Sequence, residues 1–337
     1  MTQSPPSPVL FLDTLVGYQR SAALKAAIEL ALFTAIGEGN RSAAAIAKRC
    51  EAAERGVRIL CDYLVVAGFL TKSGGEYGLT PDSAVFLDRR SASYIGAAAE
   101  FIASPMLIEA FLTDPAEMVR RGGTLQGEGS VSPDNPIWVS FARAMAPMIA
   151  QRAGEFAALA DPDAGQAIEV LDIAAGHGLF GIAMAERNPR AAITALDWDA
   201  VLDVARENAA KAGVASRFKT IAGSAFEADF GGPYDVVLLT NFLHHFDVAT
   251  CEGLLRKVHA ALVPGGRAVA LEFVPNDDRV TPPGAAAFSF VMLGSTRAGD
   301  AYTFAEYRRM FEAAGFSQLT LHELPPTDER VVIAQRP

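Results

Sequence analysis

Cysteine is scarce in this chain: three in 337 residues, at Cys50, Cys61 and Cys251. They form no CxxC and no Cys/His cluster at metal-ligand spacing, so no metal site is expected. An odd, scattered set also argues against a disulfide framework and points to a reducing cytoplasm. Positive charge is in deficit, with 29 Lys and Arg against 39 Asp and Glu and a net charge of −10. Nucleic-acid affinity comes mostly from Lys and Arg neutralising phosphates, so a nucleic acid is not the expected partner. Long apolar runs are missing too. None reaches the roughly 18 residues of a membrane helix, and the Ala-rich stretch 95–113 carries Glu100 and Glu109. The N-terminal MTQSPPSPVLFLDTLVG has no basic residue ahead of its apolar stretch, unlike a signal peptide. The expectation is a cytoplasmic protein without a membrane partner.

What the chain does have is apolar content, 50% of its residues, ample for a core. Its length suggests about two domains. Residues 8–68 show apolar positions recurring at three and four, rich in Ala and Leu, which reads as helices. Asn40, Arg41 and Ser42 break the pattern and offer a cap for AAAIAKRC, and ERGVRILCDYLVVAG follows up to Gly68. FLTK and YGLT, joined at Ser73-Gly74-Gly75, then read as a hairpin, completing the element order of a winged helix. Residues 81–160 are helical again around the Gly/Ser/Pro-rich segment 122–136. From about 167, short apolar runs (IEVLDIA, AAITALD, YDVVLLT, GRAVALEFV) alternate with helical stretches, the pattern of a parallel sheet covered by helices. FSQLTLHEL and RVVIAQ around Pro325-Pro326-Thr327 suggest a final antiparallel hairpin. The fold class is α/β, with a mainly helical N-terminal module.

The first crossover contains Asp172-Ile173-Ala174-Ala175-Gly176-His177-Gly178-Leu179-Phe180-Gly181. Gly176, Gly178 and Gly181 spell GxGxxG, and Asp197 ends the next strand 19 positions after Gly178, as in a dinucleotide site. Asp172 favours a different ligand: a carboxylate there suits the cationic amino-acid end of S-adenosylmethionine and repels a pyrophosphate. YDVVLLTNFLHHF, a helix and then Leu262-Val263-Pro264-Gly265-Gly266 continue as class I methyltransferases do.

On these residues the chain resembles the dimeric small-molecule O-methyltransferases, the plant caffeate and flavonoid enzymes with their bacterial polyketide and carotenoid relatives. The resemblance covers nearly the whole length. It implies a winged-helix dimerisation domain over 1–110, a helical linker lining the acceptor pocket over 111–160, and a Rossmann-like S-adenosylmethionine-binding domain over 161–337, in a homodimer. The family loop reads acid-x-G-x-G-x-G, and Ala174 replaces its first glycine. Carried over by motif, Asp172 and Gly176 approach the methionine end and Asp197 accepts both ribose hydroxyls. Ser224-Ala225-Phe226 falls on the adenine-contacting segment, whose usual acid is absent. Ala174, Gly178, Trp198 and Thr240 complete the expected cofactor set.

Leu243-His244-His245-Phe246-Asp247 follows the strand YDVVLLT, at the carboxyl edge where such sheets hold ligands. The family reads His-Asp-Trp here, so His244 takes the general-base position. Imidazole titrates near ~6.5 and suits removal of a phenolic proton as the oxygen attacks. Glu272, 28 residues on, falls where the family has a His-orienting glutamate. A second family glutamate falls on Ala301, leaving Glu272 alone or with partial help from Asp300, or else a pocket that deprotonates no phenol. Phe141, Met145, Met148, Phe288 and Met292 recur at helical spacing; each alone reads as core, but the family lines its acceptor pocket from these segments. His245 and Thr296 join that expected lining, and His245 could equally face solvent. Asp247 reads as a helix N-cap, His177 as a turn residue and His259 as packing or surface.

The resulting expectation is an S-adenosylmethionine-dependent O-methyltransferase of a small aromatic or polyketide-like hydroxyl. Two alternatives stay open. One is a non-methylating enzyme of the same fold, catalysing rearrangement, hydroxylation or decarboxylation. The more distant one is a winged-helix ligand-sensing regulator, disfavoured because ERGVRILCDYLVVAG mixes Arg55 and Arg58 with Glu54 and Asp62 on an apolar helix.

Overall fold

A computed structural model describes residues 6–127, 129–131 and 135–337, and the chain divides into two compact units that meet in sequence at Ser104–Pro105. The first unit runs α1 (Val9–Leu15), α2 (Gly17–Glu29), α3 (Leu32–Gly37), α4 (Ala43–Arg49), α5 (Glu54–Val66), β1 (Leu70–Ser73), β2 (Glu76–Leu79), α6 (Pro81–Phe86) and α7 (Ala98–Ile102). Helix α4 starts where the Ser42 side chain accepts from the Ala45 amide at 3.2 Å, at the break visible in the sequence. Val57, Cys61 and Leu64 of α5 recur at three and four, and they bury against Phe33, Ile46 and Leu70. The expected hairpin forms, with Leu70 opposite Leu79. Two charges of α5 are used within the unit: Asp62 takes Arg58, Lys72 and the Tyr77 hydroxyl.

The second unit begins with α8 (Pro105–Leu112), α9 (Pro115–Arg121) and the 24-residue α10 (Ile137–Ala160). Strands and helices then alternate: β3 (Ile168–Ile173), α11 (Leu179–Arg187), β4 (Ala191–Asp197), α12 (Asp199–Lys211), β5 (Phe218–Ala222), β6 (Tyr234–Thr240), α13 (Val248–Ala261) and β7 (Leu262–Phe273). Helices α14 (Pro283–Ser295) and α15 (Phe304–Ala313) precede β8 (Ser317–Glu323) and β9 (Glu329–Gln335). The strands form one seven-stranded sheet in the order β5-β4-β3-β6-β7-β9-β8. The first five are parallel, while β9 runs antiparallel to β7 and β8 antiparallel to β9. Strand β7 reaches back through Pro264-Gly265-Gly266, further than the sequence pattern suggests.

Successive strand residues point to opposite faces, and here both faces are covered, so the strands read as continuous apolar runs. Val170, Val236, Val269 and Val331 pack under α10 and α11 with Phe156 and Phe180. Leu171, Val237, Ala270 and Val332 pack under α13 and α15 with Leu254, Val258 and Phe311. Each fully buried large apolar side chain contributes about 1.5–3 kcal/mol, enough in sum to hold the strand ends rigidly. Asp172, Asp197, His244 and Glu272 all lie at or just beyond those ends.

Candidate active site

The glycine loop turns between β3 and α11. Gly178 has φ 74°, and a Cβ built on it would stand 2.9 Å from the Ala205 Cβ, so both backbone and space call for glycine there. Gly181 lets α11 close on the sheet, since its Cβ would lie 2.8 Å from Ile193 Cγ2. Ala174, where the family glycine is missing, adopts φ 54° all the same. His177 is buried beyond the role of a turn residue. Its Nδ1 accepts from the Leu179 amide at 3.2 Å, and its ring stacks 6.4 Å from Phe141 of α10. Burial pushes its imidazole down to about 4, with the Arg152 charge adding to the effect.

Two carboxylates flank this loop. Asp172 is fully buried; Oδ2 accepts from the Gly181 amide at 3.1 Å, while Oδ1 has no hydrogen-bond partner. Burial pushes its carboxyl up to about 7, against the Gly181 amide that favours the charged form. Asp197 accepts from the Gly176 amide at 2.8 Å and the Trp198 amide at 2.7 Å. Its carboxyl is raised to about 6 by burial, those two amides opposing. A buried carboxylate oxygen lacking a donor fits a cationic ligand group, so the residues present suit the amino-acid end of S-adenosylmethionine. Trp198 opens α12 and packs beside Trp138 and Val201. Ser224 accepts from the Phe226 amide at 3.2 Å, Ala225 is buried, and the Phe226 ring lies half-exposed against Phe246. Thr240 closes β6, buried.

After β6 the chain makes a short 3₁₀ turn, Leu243–His245. Asp247 accepts from the Thr250 amide at 2.8 Å and so caps α13, as its position in the sequence suggests. The turn is held from behind by the Tyr302 hydroxyl, which donates to the Phe246 carbonyl at 2.6 Å. His244 and Glu272 are both buried, with Nδ1 2.5 Å from Oε2. The other Glu272 oxygen accepts from the Phe242 amide at 3.0 Å and the Leu243 amide at 2.8 Å. Ala301 is fully buried, and Asp300 is committed to Arg279 at 3.1 Å.

Aromatic rings line this edge. Phe288 of α14 stacks 4.0 Å from Phe273 and meets the His244 ring edge-on at 4.9 Å. The His245 ring stands 4.3 Å from His244 and 5.3 Å from Trp138, which leads to Phe141. Burial, and then the neighbouring His244, hold the His245 imidazole well below its ordinary range. Met145 and Met148 are half-buried on α10, and Met292 is buried on α14. The Thr296 hydroxyl is used internally, donating to the Met292 carbonyl at 2.7 Å and accepting from the Gly299 amide at 2.9 Å. Three polar residues near this edge escape a motif reading: Arg152, Asn241 and Glu329. The clue to Glu329 is an acid opening an apolar strand; for Arg152 it is the spacing from Met145 and Met148. Among the described residues no cluster of three His, Cys, Asp or Glu could hold a metal ion, and no helix is long and apolar enough to cross a membrane.

Comparison with known proteins agrees with this geometry. An O-methyltransferase domain family matches residues 143–317, and an O-methyltransferase dimerisation domain matches residues 12–89. The chain is 29% identical to the 3-hydroxy-5-methyl-1-naphthoate 3-O-methyltransferase of Streptomyces sahachiroi, over 93% of this chain and 90% of that protein. It is 55% identical to a Nostoc punctiforme protein described as a candidate O-methyltransferase, whose crystal structure covers 99% of this chain and 100% of that one with a TM-score of 0.94. Human N-acetylserotonin methyltransferase, solved in complex with S-adenosylmethionine, shares the fold at 21% identity, with 99% of each chain covered and a TM-score of 0.83. The chain therefore belongs to the O-methyltransferase family, S-adenosylmethionine-dependent enzymes that act on small molecules.

Proposed function

We propose that this chain transfers a methyl group to a hydroxyl of a small aromatic or polyketide-like acceptor, with His244 as general base and Glu272 as its orienting partner. The observation that supports this is the buried His244 Nδ1–Glu272 Oε2 contact of 2.5 Å. A carboxylate at Nδ1 keeps the proton there and leaves the Nε2 lone pair to take one from the acceptor. Two backbone amides on Glu272 keep its charge in place as the imidazolium forms. Bound S-adenosylmethionine supplies the electrophilic methyl on its sulfonium. Asp172 Oδ1 would receive the methionine amine, and Asp197 would take the ribose hydroxyls on lone pairs not used by Gly176 and Trp198. Ala174, Gly176 and Gly178 shape the loop around it; Trp198, Ser224, Ala225, Phe226 and Thr240 border the nucleoside.

Phe141, Met145, Met148, Phe288 and Met292, with His245 and Thr296, would bound the acceptor. An apolar, ring-lined enclosure beside a neutral His245 favours a flat aromatic over a charged one. The naphthoate relative acts on such a ring system. The first unit, within which the dimerisation domain falls, would pair two copies. His244→Ala should lower turnover by ~10²-fold or more while the affinity for S-adenosylhomocysteine barely moves. The assay follows S-adenosylhomocysteine formation over a panel of phenols and hydroxynaphthoates; unchanged turnover removes His244 from the chemistry.

A further inference from the structure

His245 Nδ1 is a buried ring nitrogen without a hydrogen-bond partner, and it lies beside His244. The His245 ring stands 4.3 Å from that of His244 and meets Trp138 edge-on at 5.3 Å. Its backbone is fixed. The His245 amide donates to the Phe242 carbonyl at 3.2 Å, and Gly299 abuts the His244 carbonyl so closely that a Cβ there would clash. Tyr302 and Asp247 hold the residues that follow. The ring therefore keeps its place relative to His244. Neighbouring side chains leave little polarity for an acceptor. Trp138 Nε1 donates to the Ser130 carbonyl at 2.9 Å, and the Thr296 hydroxyl is occupied by Met292 and Gly299. Phe288 presents carbon alone.

A neutral imidazole has one N–H and one ring nitrogen with a free lone pair. Burial and the adjacent His244 keep His245 neutral. Nδ1 is closed off while the residue keeps part of its surface exposed, so the open edge of the ring is that of Nε2. A buried N–H without an acceptor is a rarer defect than a buried lone pair without a donor. Nδ1 therefore carries the lone pair and Nε2 the proton. An ionised acid, the family residue at this position, can only accept a hydrogen bond, so His245 inverts the polarity. We propose that His245 Nε2–H is a specificity-determining donor, selecting acceptors with a carbonyl oxygen ortho or peri to the methylated hydroxyl. This rests on the O-methyltransferase reading above and narrows its substrate class. Two imidazoles packed this closely address groups on neighbouring positions of a ring system. A carbonyl beside a phenol otherwise holds the phenolic proton in an internal hydrogen bond; a donor from His245 occupies that carbonyl and frees the proton for His244. An acceptor without the carbonyl leaves the Nε2–H unpaired in a largely apolar pocket.

The test compares kcat/KM of the full-length protein for three naphthols: methyl 3-hydroxy-2-naphthoate with a neighbouring carbonyl, 2,3-dihydroxynaphthalene with a neighbouring hydroxyl, and 2-naphthol with neither. Wild type should favour the ester over 2-naphthol by about ten-fold or more. His245→Phe should bring that ratio down by about ten-fold, with S-adenosylhomocysteine affinity by calorimetry within about two-fold of wild type. His245→Asp, which restores an acceptor, should favour the dihydroxynaphthalene over the ester, and His245→Asn, which keeps an N–H, should retain part of the ester preference. If His245→Phe fails to fold, the Asp and Asn variants decide between the two polarities. A wild type without ester preference, or a preference that survives in His245→Phe or His245→Asp, overturns the proposal. A wild type that binds S-adenosylhomocysteine but methylates none of the three overturns the aromatic-acceptor reading and this assignment with it, a result distinct from the loss of preference alone.

Discussion

Asp172 is buried completely although its charge makes burial costly, and it is the residue whose environment says most about the site. Its folded carboxyl titrates near 7, above the ordinary range near ~4, because burial outweighs the Gly181 amide. The folded state therefore holds a proton that the unfolded chain releases between about pH 4 and 7. Stability present below that window is lost as pH rises through it, and above about 7 the full desolvation cost remains. Asp172→Asn keeps an oxygen for Gly181 and cannot ionise. It should melt at a higher temperature than wild type near pH ~8, with the gap closing near pH ~4.5; a gap independent of pH in calorimetric melts would refute this. Asp172, Asp197, His244 and Glu272 are legible in the sequence because strand ends and glycine loops put short motifs at fixed places. His177 is not, because its role depends on Phe141, 36 residues upstream on α10. Ala174 shows the loop geometry overriding residue preference: an L residue in left-handed backbone costs roughly 1–2 kcal/mol, and the fold imposes φ 54° anyway.

At the scale of elements, local chemistry was easy to read and reach was not. Asp247 stands one residue past Phe246 in both the motif and the structure, so the start of α13 fixes the end of the His244 turn. Asp247→Ala should cost about 1 kcal/mol of stability by chemical denaturation. Loosening that turn should also lower turnover several-fold, with S-adenosylhomocysteine affinity unchanged; equal loss of both would place Asp247 in the fold alone. Thr303 and Glu306 form the reciprocal capping box written in Thr-Phe-Ala-Glu, and α15 begins there. Such caps involve residues three apart and are visible in any window of sequence. The full extent of β7 is not, because Pro264-Gly265-Gly266 reads as a turn until Tyr234 of β6 pairs with Leu262.

At the scale of the molecule, α1 has no buried residue, leaving Leu10 at 81% and Phe11 at 63% exposure in a single chain. An apolar helix left uncovered in a unit matched by a dimerisation domain is the surface a second copy would cover. Sedimentation should therefore report a dimer, and Leu10→Asp with Phe11→Asp should shift it towards monomer; a monomeric wild type would refute the assignment. The amino-acid sequence by itself determined the division into a helical module and an alternating α/β domain, through a hydrophobic period of 3.6 in the helices and short continuous apolar runs in the strands. It also determined the family, through the glycine loop, His244 and Glu272. Only the tertiary structure decided what those residues touch. It set the Glu272 carboxylate against His244 Nδ1 and two amides, and it gathered Arg152, Asn241 and Glu329 from a helix, a loop and a strand far apart in the chain. The physical reason is range: turns, caps and periodicity act over a few residues, whereas burial and charge pairing depend on which distant segments the sheet brings together.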